Sequence, residues 1–407
     1  MKYYKRIVED TIESKLKDES IINIVGPREC GKTTVAEIFA NSSLSIEDDI
    51  NSYELLSELK PEVLLQGEKP LLIHDIERVP LLKDELVKSS KKISNNGLFI
   101  TTNSQATQNT ILMYPMSLYE SGNSVGDIKI MDFFKYPDLN IDGFESQLEL
   151  EELIDVTCRG GFPKAINNPH EIGNYIDRVI IEYIPSINGS KRNYDKIQTM
   201  LRIYSDNIYT FTKNSEIVDE ISKIYPNFAK STYYNYLNEL KDLHIIDEIP
   251  AWRQQIKSQS AIKSISKKGF CDPSIPIYLL DLNHNDLLYN LEKFEYFFKN
   301  LCYRDLKIYT SKYGGKISYY GDRYGGEVDC ILEFDNGDYA LINFNLGSSK
   351  IDKSIKQLLK IDKFIERKIN QGKLSIKKPK FLSIVTATRF AYTHKSGVKI
   401  IPIGVLK

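Results

Sequence analysis

Cysteine is scarce, neither sign of charge dominates, and no apolar run is long. The five cysteines among 407 residues (Cys30, Cys158, Cys271, Cys302 and Cys330) are widely spaced and form no Cys-x-x-Cys pair. That excludes a disulfide framework and a zinc-ribbon site, and predicts reduced, mostly buried thiols. No stretch of about 18 apolar residues exists, so no transmembrane helix is expected. The charged start MKYYKRIVED does not read as a secretory signal, and a cytoplasmic protein with no membrane partner is the expectation. Lys and Arg (54) offset Asp and Glu (55) to a net charge of −1, so any polyanion-binding surface has to be a local patch. Gly (22) and Pro (15) are too few for a collagen-like or low-complexity chain. The remaining composition, 42% hydrophobic and 27% charged, is that of a folding protein, and at roughly 150 residues per domain the length predicts two or three domains.

The first third alternates short apolar runs with amphipathic stretches, as expected for a parallel sheet covered by helices. The predicted strands are IINIV (21 to 25), PLLIHD (70 to 75), GLFITT (97 to 102) and MYPMSL (113 to 118). From about Glu145 to Asp242 the pattern is helical and rich in tyrosine. After Leu240 the short runs HIIDEIP and PIYLLD flank a basic, Ser-rich segment. From Glu292 a helix, the strands ISYYG, EVDCILE and DYALINF, a further helix and FLSIV predict a separate α/β unit.

The segment Gly26-Pro27-Arg28-Glu29-Cys30-Gly31-Lys32-Thr33-Thr34 fits GxxxxGK[ST] and stands between a predicted strand and a predicted helix, the context a phosphate-binding loop requires. Such a loop wraps backbone N–H groups around a β-phosphate at a helix N-terminus. Lys32 is placed to reach the β- and γ-phosphates, and the Thr33 hydroxyl to ligate magnesium, so ATP and Mg²⁺ are the expected cofactors. The acidic partner is sought at the end of Leu71-Leu72-Ile73-His74-Asp75, where only Asp75 is a carboxylate. Asp75 is therefore the candidate metal ligand and catalytic carboxylate, with Lys32 the second catalytic candidate. His74 beside it suits a hard cation poorly, because magnesium prefers oxygen. Glu77 reads as a solvated loop acid or a second carboxylate on the same face. The polar end of Phe99-Ile100-Thr101-Thr102-Asn103-Ser104 reads as a γ-phosphate sensor or an ordinary strand end.

Taken together, IVGPRECGKTT, LLIHDIERVP, FITTNS, YPMSLYESG, RGGFPKAI, IPAW, CDPS and EVD resemble prokaryotic AAA-superfamily ATP-binding proteins that carry a C-terminal domain of unknown function, in order along nearly the whole chain. The resemblance implies an α/β fold. An AAA-type P-loop NTPase parallel sheet (1 to 145) would be followed by a helical lid or linker (146 to 214), a winged-helix region (215 to 283) and a restriction-endonuclease-like, PD-(D/E)XK α/β domain (284 to 407). The chain departs from that pattern. His74-Asp75 stands where Asp-Glu is usual, and Gln105 to Tyr114 lacks the usual arginines, so ATP hydrolysis is expected to be weak. Arg159-Gly160-Gly161-Phe162-Pro163 reads either as a turn near the adenine, with Arg159 a replacement charge, or as a plain tight turn. In the nuclease-like domain Glu295 and Asp329 match the helix Glu and strand Asp, whereas Asn343-Phe344-Asn345 replaces Glu-x-Lys. Nuclease activity is therefore expected to be absent.

Two basic segments are candidates for nucleic acid. Arg253, Lys257, Lys263, Lys267 and Lys268 contain no acid between them and are compatible with a phosphate-tracking wing beside a recognition helix bearing Thr232, Tyr233, Asn235 and Tyr236, N-capped by Ser231. Lys350 to Lys380 holds eleven Lys/Arg against three Asp/Glu. The leading expectation is an ATP-binding protein whose nucleotide state positions a winged helix and a degenerate nuclease-like domain on DNA. An active DNA-processing ATPase and nuclease, and a nucleotide-gated protein switch that never touches DNA, stand as alternatives. A homo-oligomer is compatible with each.

Overall fold

The computed structural model describes residues 3–103, 109–179, 193–252, 265–322 and 325–407. They divide into two compact units: residues up to Pro115, with the short piece Lys241–Ile245, and residues 116–240 with 246–407.

The first unit carries α1 (Glu9–Asp18), β1 (Ile21–Val25), α2 (Lys32–Phe39), β2 (Ser42–Ser45), α3 (Ile50–Leu59), α4 (Pro61–Leu64), β3 (Leu71–His74), α5 (Pro80–Ile93), β4 (Phe99–Asn103) and β5 (Thr110–Leu112). The strands form one parallel sheet in the order β2-β3-β4-β1-β5. Strands β1, β3 and β4 are almost wholly buried along their length, as a sheet covered on both faces demands. Strand β4 is inserted between β1 and β3, so Val25 pairs with Asn103 and His74 with Thr102. The three strand ends that face the loop after β1 are thereby set side by side. The fourth expected strand is displaced: pairing with β1 is made by Thr110–Leu112, and residues 113 to 118 lie beyond it. Thr110 is in register with Asn23, whose amide bonds the Thr110 hydroxyl (3.4 Å) and accepts from Thr101 Oγ1 (3.0 Å), a buried polar set that fixes this register.

The second unit opens with α6 (Asp132–Lys135) and the helices α7 (Leu150–Arg159), α8 (Pro163–Asn167), α9 (Glu171–Arg178), α10 (Tyr194–Asp206), α11 (Asn214–Ile224), α12 (Lys230–Asp242), α13 (Ser274–Leu279), α14 (His284–Leu288) and α15 (Leu291–Thr310). It closes with β6 (Lys316–Gly321), β7 (Glu327–Glu333), β8 (Tyr339–Asn345), α16 (Ile351–Asn370), β9 (Leu382–Thr386), β10 (Tyr392–Thr393) and β11 (Lys399–Pro402). The short run PIYLLD is mostly the helix α13. The sheet order is β10-β11-β9-β8-β7-β6, antiparallel from β6 to β8 and parallel across β8, β9 and β11. α16 is the crossover between the parallel neighbours β8 and β9. Its buried stripe Ile351, Ile355, Leu358, Ile361 and Ile365 follows the three-and-four spacing of one helix face, and packs with Trp252, Tyr339, Leu341 and Ile384 in one core. Each such side chain contributes about 1.5–3 kcal/mol by burial. All five cysteines are free, four of them buried. Burial, with Asp155 nearby, pushes the half-buried Cys158 thiol up to about 12.

Candidate nucleotide site and the lysine-filled centre

The loop from Gly26 to Gly31 joins β1 to α2. Gly26 (φ 152°) lies so close to β5 that a Cβ there would stand 2.1 Å from the Met113 carbonyl oxygen, and Glu29 (φ 60°) and Gly31 (φ 101°) also take positive φ. This backbone turns the chain sharply into α2, whose first N–H groups have no helical acceptor. Lys32 Nζ folds back to donate to the carbonyls of Gly26 and Pro27 (2.9 Å each). Arg6, buried at 4% exposure, donates to the Cys30 carbonyl (2.9 Å) and the Tyr114 carbonyl (2.8 Å). It pins the loop to the chain beyond β5. Arg6 gave no signal in the sequence, because it lies outside the motif and 24 residues before the carbonyl it holds.

At the end of β3 the side chain brought to Thr33 is His74. Its Nδ1 is 3.5 Å from Thr33 Oγ1 and 3.4 Å from Thr102 Oγ1, and the residue is 9% exposed. Asp75 follows in the left-handed region (φ 52°), its N–H bonded to the Thr102 carbonyl (3.0 Å). Alternation along the strand sends neighbouring side chains to opposite faces, so Thr33 faces an imidazole. Magnesium fits this donor set only through the Thr33 hydroxyl, since a nitrogen ligand is unsuited to a hard cation. Asn103, buried at the end of β4 beside Val25, has a side-chain oxygen with no hydrogen-bond partner among the described residues. Ser104 to Gln108 lie outside them.

In the second unit Asp272, Arg304 and Asp305 form a buried node. Arg304 bonds Asp272 and Asp305 (2.8 Å each), Asp305 Oδ2 accepts the Leu118 N–H (2.9 Å), and Asp272 Oδ2 accepts the Gly161 N–H (2.9 Å). Burial opposes the Arg304 charge, but the two carboxylates outweigh it and hold the guanidinium above its ordinary pKa. Three sequence motifs, PMSL, RGGFP and CDPS, meet here. Gly160 (φ 74°) has no room for a Cβ against Asp272 and Ser274, so within this unit RGGFP is a tight turn held by that node. Arg159 donates to Asn123 Oδ1 (3.0 Å).

Helices α11 and α12 are followed by antiparallel bridges Ile246↔Phe270 and Ile249↔Lys267. α12 begins at Lys230, one residue before the expected cap. Of the four residues expected to meet a ligand, Tyr233 and Tyr236 are buried. With Leu237 and Leu240 they form the inward stripe of the helix, which leaves Asn235 exposed and Thr232 half-buried. The basic segment is corrected in the same way: Lys267 and Lys268 are 2% and 1% exposed and present no charge to solvent. Arg253, Lys257 and Lys263 lie outside the described residues.

The Lys267 ammonium instead enters the centre expected at Glu295, Asp329, Asn343 and Asn345. It pairs with Glu327, stands 4.0 Å from Asp329 Oδ1, and lies over the rings of Phe211 and Tyr319 (5.1 and 5.0 Å). Lys299, one turn after Glu295 on α15, reaches Asp329 Oδ1 at 2.9 Å, and Lys350 pairs with Glu295. Asp329 Oδ2 accepts the Phe344 N–H (3.0 Å), Asn343 Oδ1 accepts the Asp329 N–H (3.0 Å), and Asn345 Oδ1 accepts from Ser354 (2.9 Å). Burial works against a charged Asp329, yet Lys299, Lys267 and the Phe344 N–H together hold its carboxyl below the usual range. Burial likewise opposes the Lys299 charge, and Asp329 overcomes it to raise that ammonium. All four expected residues line one cavity of about 190 Å³, with Glu327, Lys299, Lys350 and Lys353. No group of three or more His, Cys, Asp or Glu side chains able to hold a metal occurs among the described residues. The carboxylates are matched by ammonium groups.

Residues 150–286 match a family described as a domain of unknown function (DUF8612). No curated protein matches the chain. Among solved structures the chain is similar to the Walker-type ATPase PABY2304 of Pyrococcus abyssi, with 12% identity and a TM-score of 0.42 over 67% of this chain and 94% of that one. The five-stranded parallel sheet with its loop after β1 is of the kind a P-loop fold has. No helix among the described residues is long and apolar enough to cross a membrane.

Proposed function

We propose that the first unit binds ATP and hydrolyses it slowly. The observation that carries this is the loop itself: Gly26 pressed on β5, Lys32 folded over its carbonyls, and Thr33 opposed by His74. Lys32 exchanges two neutral carbonyls for phosphate oxygens when nucleotide arrives, a gain because both partners are then charged. Thr33 and the phosphate oxygens hold the magnesium that comes with ATP, and the imidazole adds no negative charge to its shell. Slow turnover follows. Binding of a fluorescent ATP analogue, which Lys32→Ala should weaken by at least about tenfold, is the test; equal affinity in the variant overturns the loop assignment. Steady-state phosphate release should rise in His74→Asp.

The second unit reads as a winged helix joined to a nuclease-like domain that holds nucleic acid without cutting it. Helices α11 and α12 followed by an antiparallel pair support the first part, and the order helix, three strands, helix, strand from α15 to β9 supports the second. The expected DNA surface now rests on α16. There Lys353, Lys356, Lys360, Lys363 and Arg367 are all exposed at alternating steps of three and four, a single stripe about 21 Å long. Like charges at this spacing repel in the free helix, and a polyphosphate backbone relieves that cost. Lys353, Lys356 and Lys360 make no ion pair among the described residues. Plasmid nicking in manganese should be absent; robust cutting that disappears in Asp329→Ala overturns this reading.

A further inference from the structure

The centre between α15, β7, β8 and the start of α16 is charge-balanced from within, and its residual charge has a sign. Three carboxylates are each engaged by a lysine: Glu295 by Lys350, Glu327 by Lys267, and Asp329 by Lys299. Lys353, on the same cavity wall, is a fourth ammonium group, and it makes no ion pair among the described residues. Four ammonium groups against three carboxylates leave one positive charge at a cavity of about 190 Å³. Lys299 spends one of its three N–H donors on Asp329. The Asn345 amide nitrogen is buried without a hydrogen-bond partner among the described residues, so the wall also holds a donor in excess.

We propose that this cavity receives a single phosphate group without any metal ion, with Lys299 and Lys353 as the cationic contacts and Lys267 as the fixed counter-charge that keeps Glu327 and Asp329 from repelling it. The phosphate is either a phosphodiester of a nucleic-acid backbone or free phosphate. One anionic group matches the one unbalanced charge, and charge-assisted contacts of this kind are about twice as strong as neutral ones. The backbone source rests on the nucleic-acid reading of this unit; the pocket itself does not.

The test uses the full chain carrying Lys32→Ala, so that phosphate at the loop of the first unit does not contribute. Melting is followed by the fluorescence of Trp252, the only tryptophan and a buried residue of the second unit, while inorganic phosphate replaces chloride at constant ionic strength in EDTA. Phosphate should raise the melting temperature, since a ligand of the folded state alone stabilises it. Lys353→Glu should raise the half-effective phosphate concentration by about tenfold or more, and Lys353→Arg should restore it. Lys353 is exposed, so its substitution leaves folding intact; Lys299→Met is the stricter companion. No effect beyond chloride, an effect indifferent to Lys353→Glu, or an effect that needs manganese and vanishes in Asp329→Asn overturns the proposal. A labelled DNA duplex is then added in EDTA. Binding that phosphate competes away assigns the backbone as the source, and a phosphate response without duplex binding assigns free phosphate. Duplex binding that phosphate leaves untouched overturns the pocket and leaves the nucleic-acid reading on α16.

Discussion

The two units each hold a place where a magnesium carboxylate is expected by resemblance and another residue stands, and they depart from that expectation in opposite ways. In the first, His74 takes the position facing Thr33, while Lys32 folds over the carbonyls of the loop and the end of β4 lies buried beside β1. In the second, Asn343 and Asn345 stand where the resemblance expects charged residues, and Lys267 and Lys299 bring cations to Asp329. On the function proposed above, a site that keeps its loop without bringing in cations still binds nucleotide. Internal cations make the centre part of the fold, because lysine and carboxylate now depend on each other for burial.

That difference breaks most visibly at Asp329. Replacing it by Asn leaves Lys299 beside a neutral amide and removes the second carboxylate near Lys267, whose side chain is 3% exposed and keeps only Glu327. Removing one partner of a buried pair costs about 3–5 kcal/mol, so urea unfolding monitored through Trp252 should shift strongly, with or without EDTA. His74→Ala in the first unit should leave that transition where it is. A magnesium-dependent shift in the wild type would show that the lysines do not replace the metal. The same pair sets a pH window. The folded Asp329 carboxyl titrates below its unfolded value of about 3.9, so its stabilisation is present above that pH and is lost as acid protonates it. The Lys299 ammonium titrates above its unfolded value of about 10.4, so its share is intact below that pH and is lost as pH rises through the folded value. The Trp252 transition should therefore weaken at both extremes.

A smaller effect is expected at Arg6. Arg6→Met keeps much of the buried apolar stem but removes the donors to the Cys30 and Tyr114 carbonyls. Losing hydrogen bonds of a charged group costs about 1.5–3 kcal/mol, and part of that should appear as weaker ATP affinity. Unchanged ATP binding in a folded variant would confine Arg6 to stability.

The contrast between the two sites also marks what was legible in the sequence. The loop and its flanking elements could be read because an apolar run, a fixed glycine spacing and Lys-Thr coincide over a dozen residues. Strand β2, Ser-Ser-Leu-Ser, could not, because an edge strand half open to solvent needs no apolar run. Sheet order was equally hidden, and with it the pairing that sets His74 beside Thr102. The lysine-filled centre failed for a different reason. Lysines are almost never buried unless paired, so by sequence alone Lys267 belongs with a solvated basic segment. Its partners Glu327 and Asp329 lie about sixty residues away, and the bridges Ile249↔Lys267 and Ala251↔Tyr319, with the Tyr319 hydroxyl donating to the Ile265 carbonyl, bring Lys267 to β6. Arg304 and Asp305 did leave a trace: a charged pair in the buried run of α15.

The smallest expected effect separates the two candidate basic surfaces. Each phosphate contact releases counterions and contributes about 0.9 to the slope of log affinity against log salt. Lys356→Gln with Lys360→Gln should therefore flatten the slope for duplex DNA by somewhat less than two units. These side chains are exposed, so folding and the Trp252 transition should not move. A slope unchanged by that pair but flattened by Arg253→Gln with Lys257→Gln would move the contact off α16 to the segment before Lys267. In that case Lys267 would be a buried anchor beside a phosphate-tracking segment, and the α16 stripe would be a solvated face.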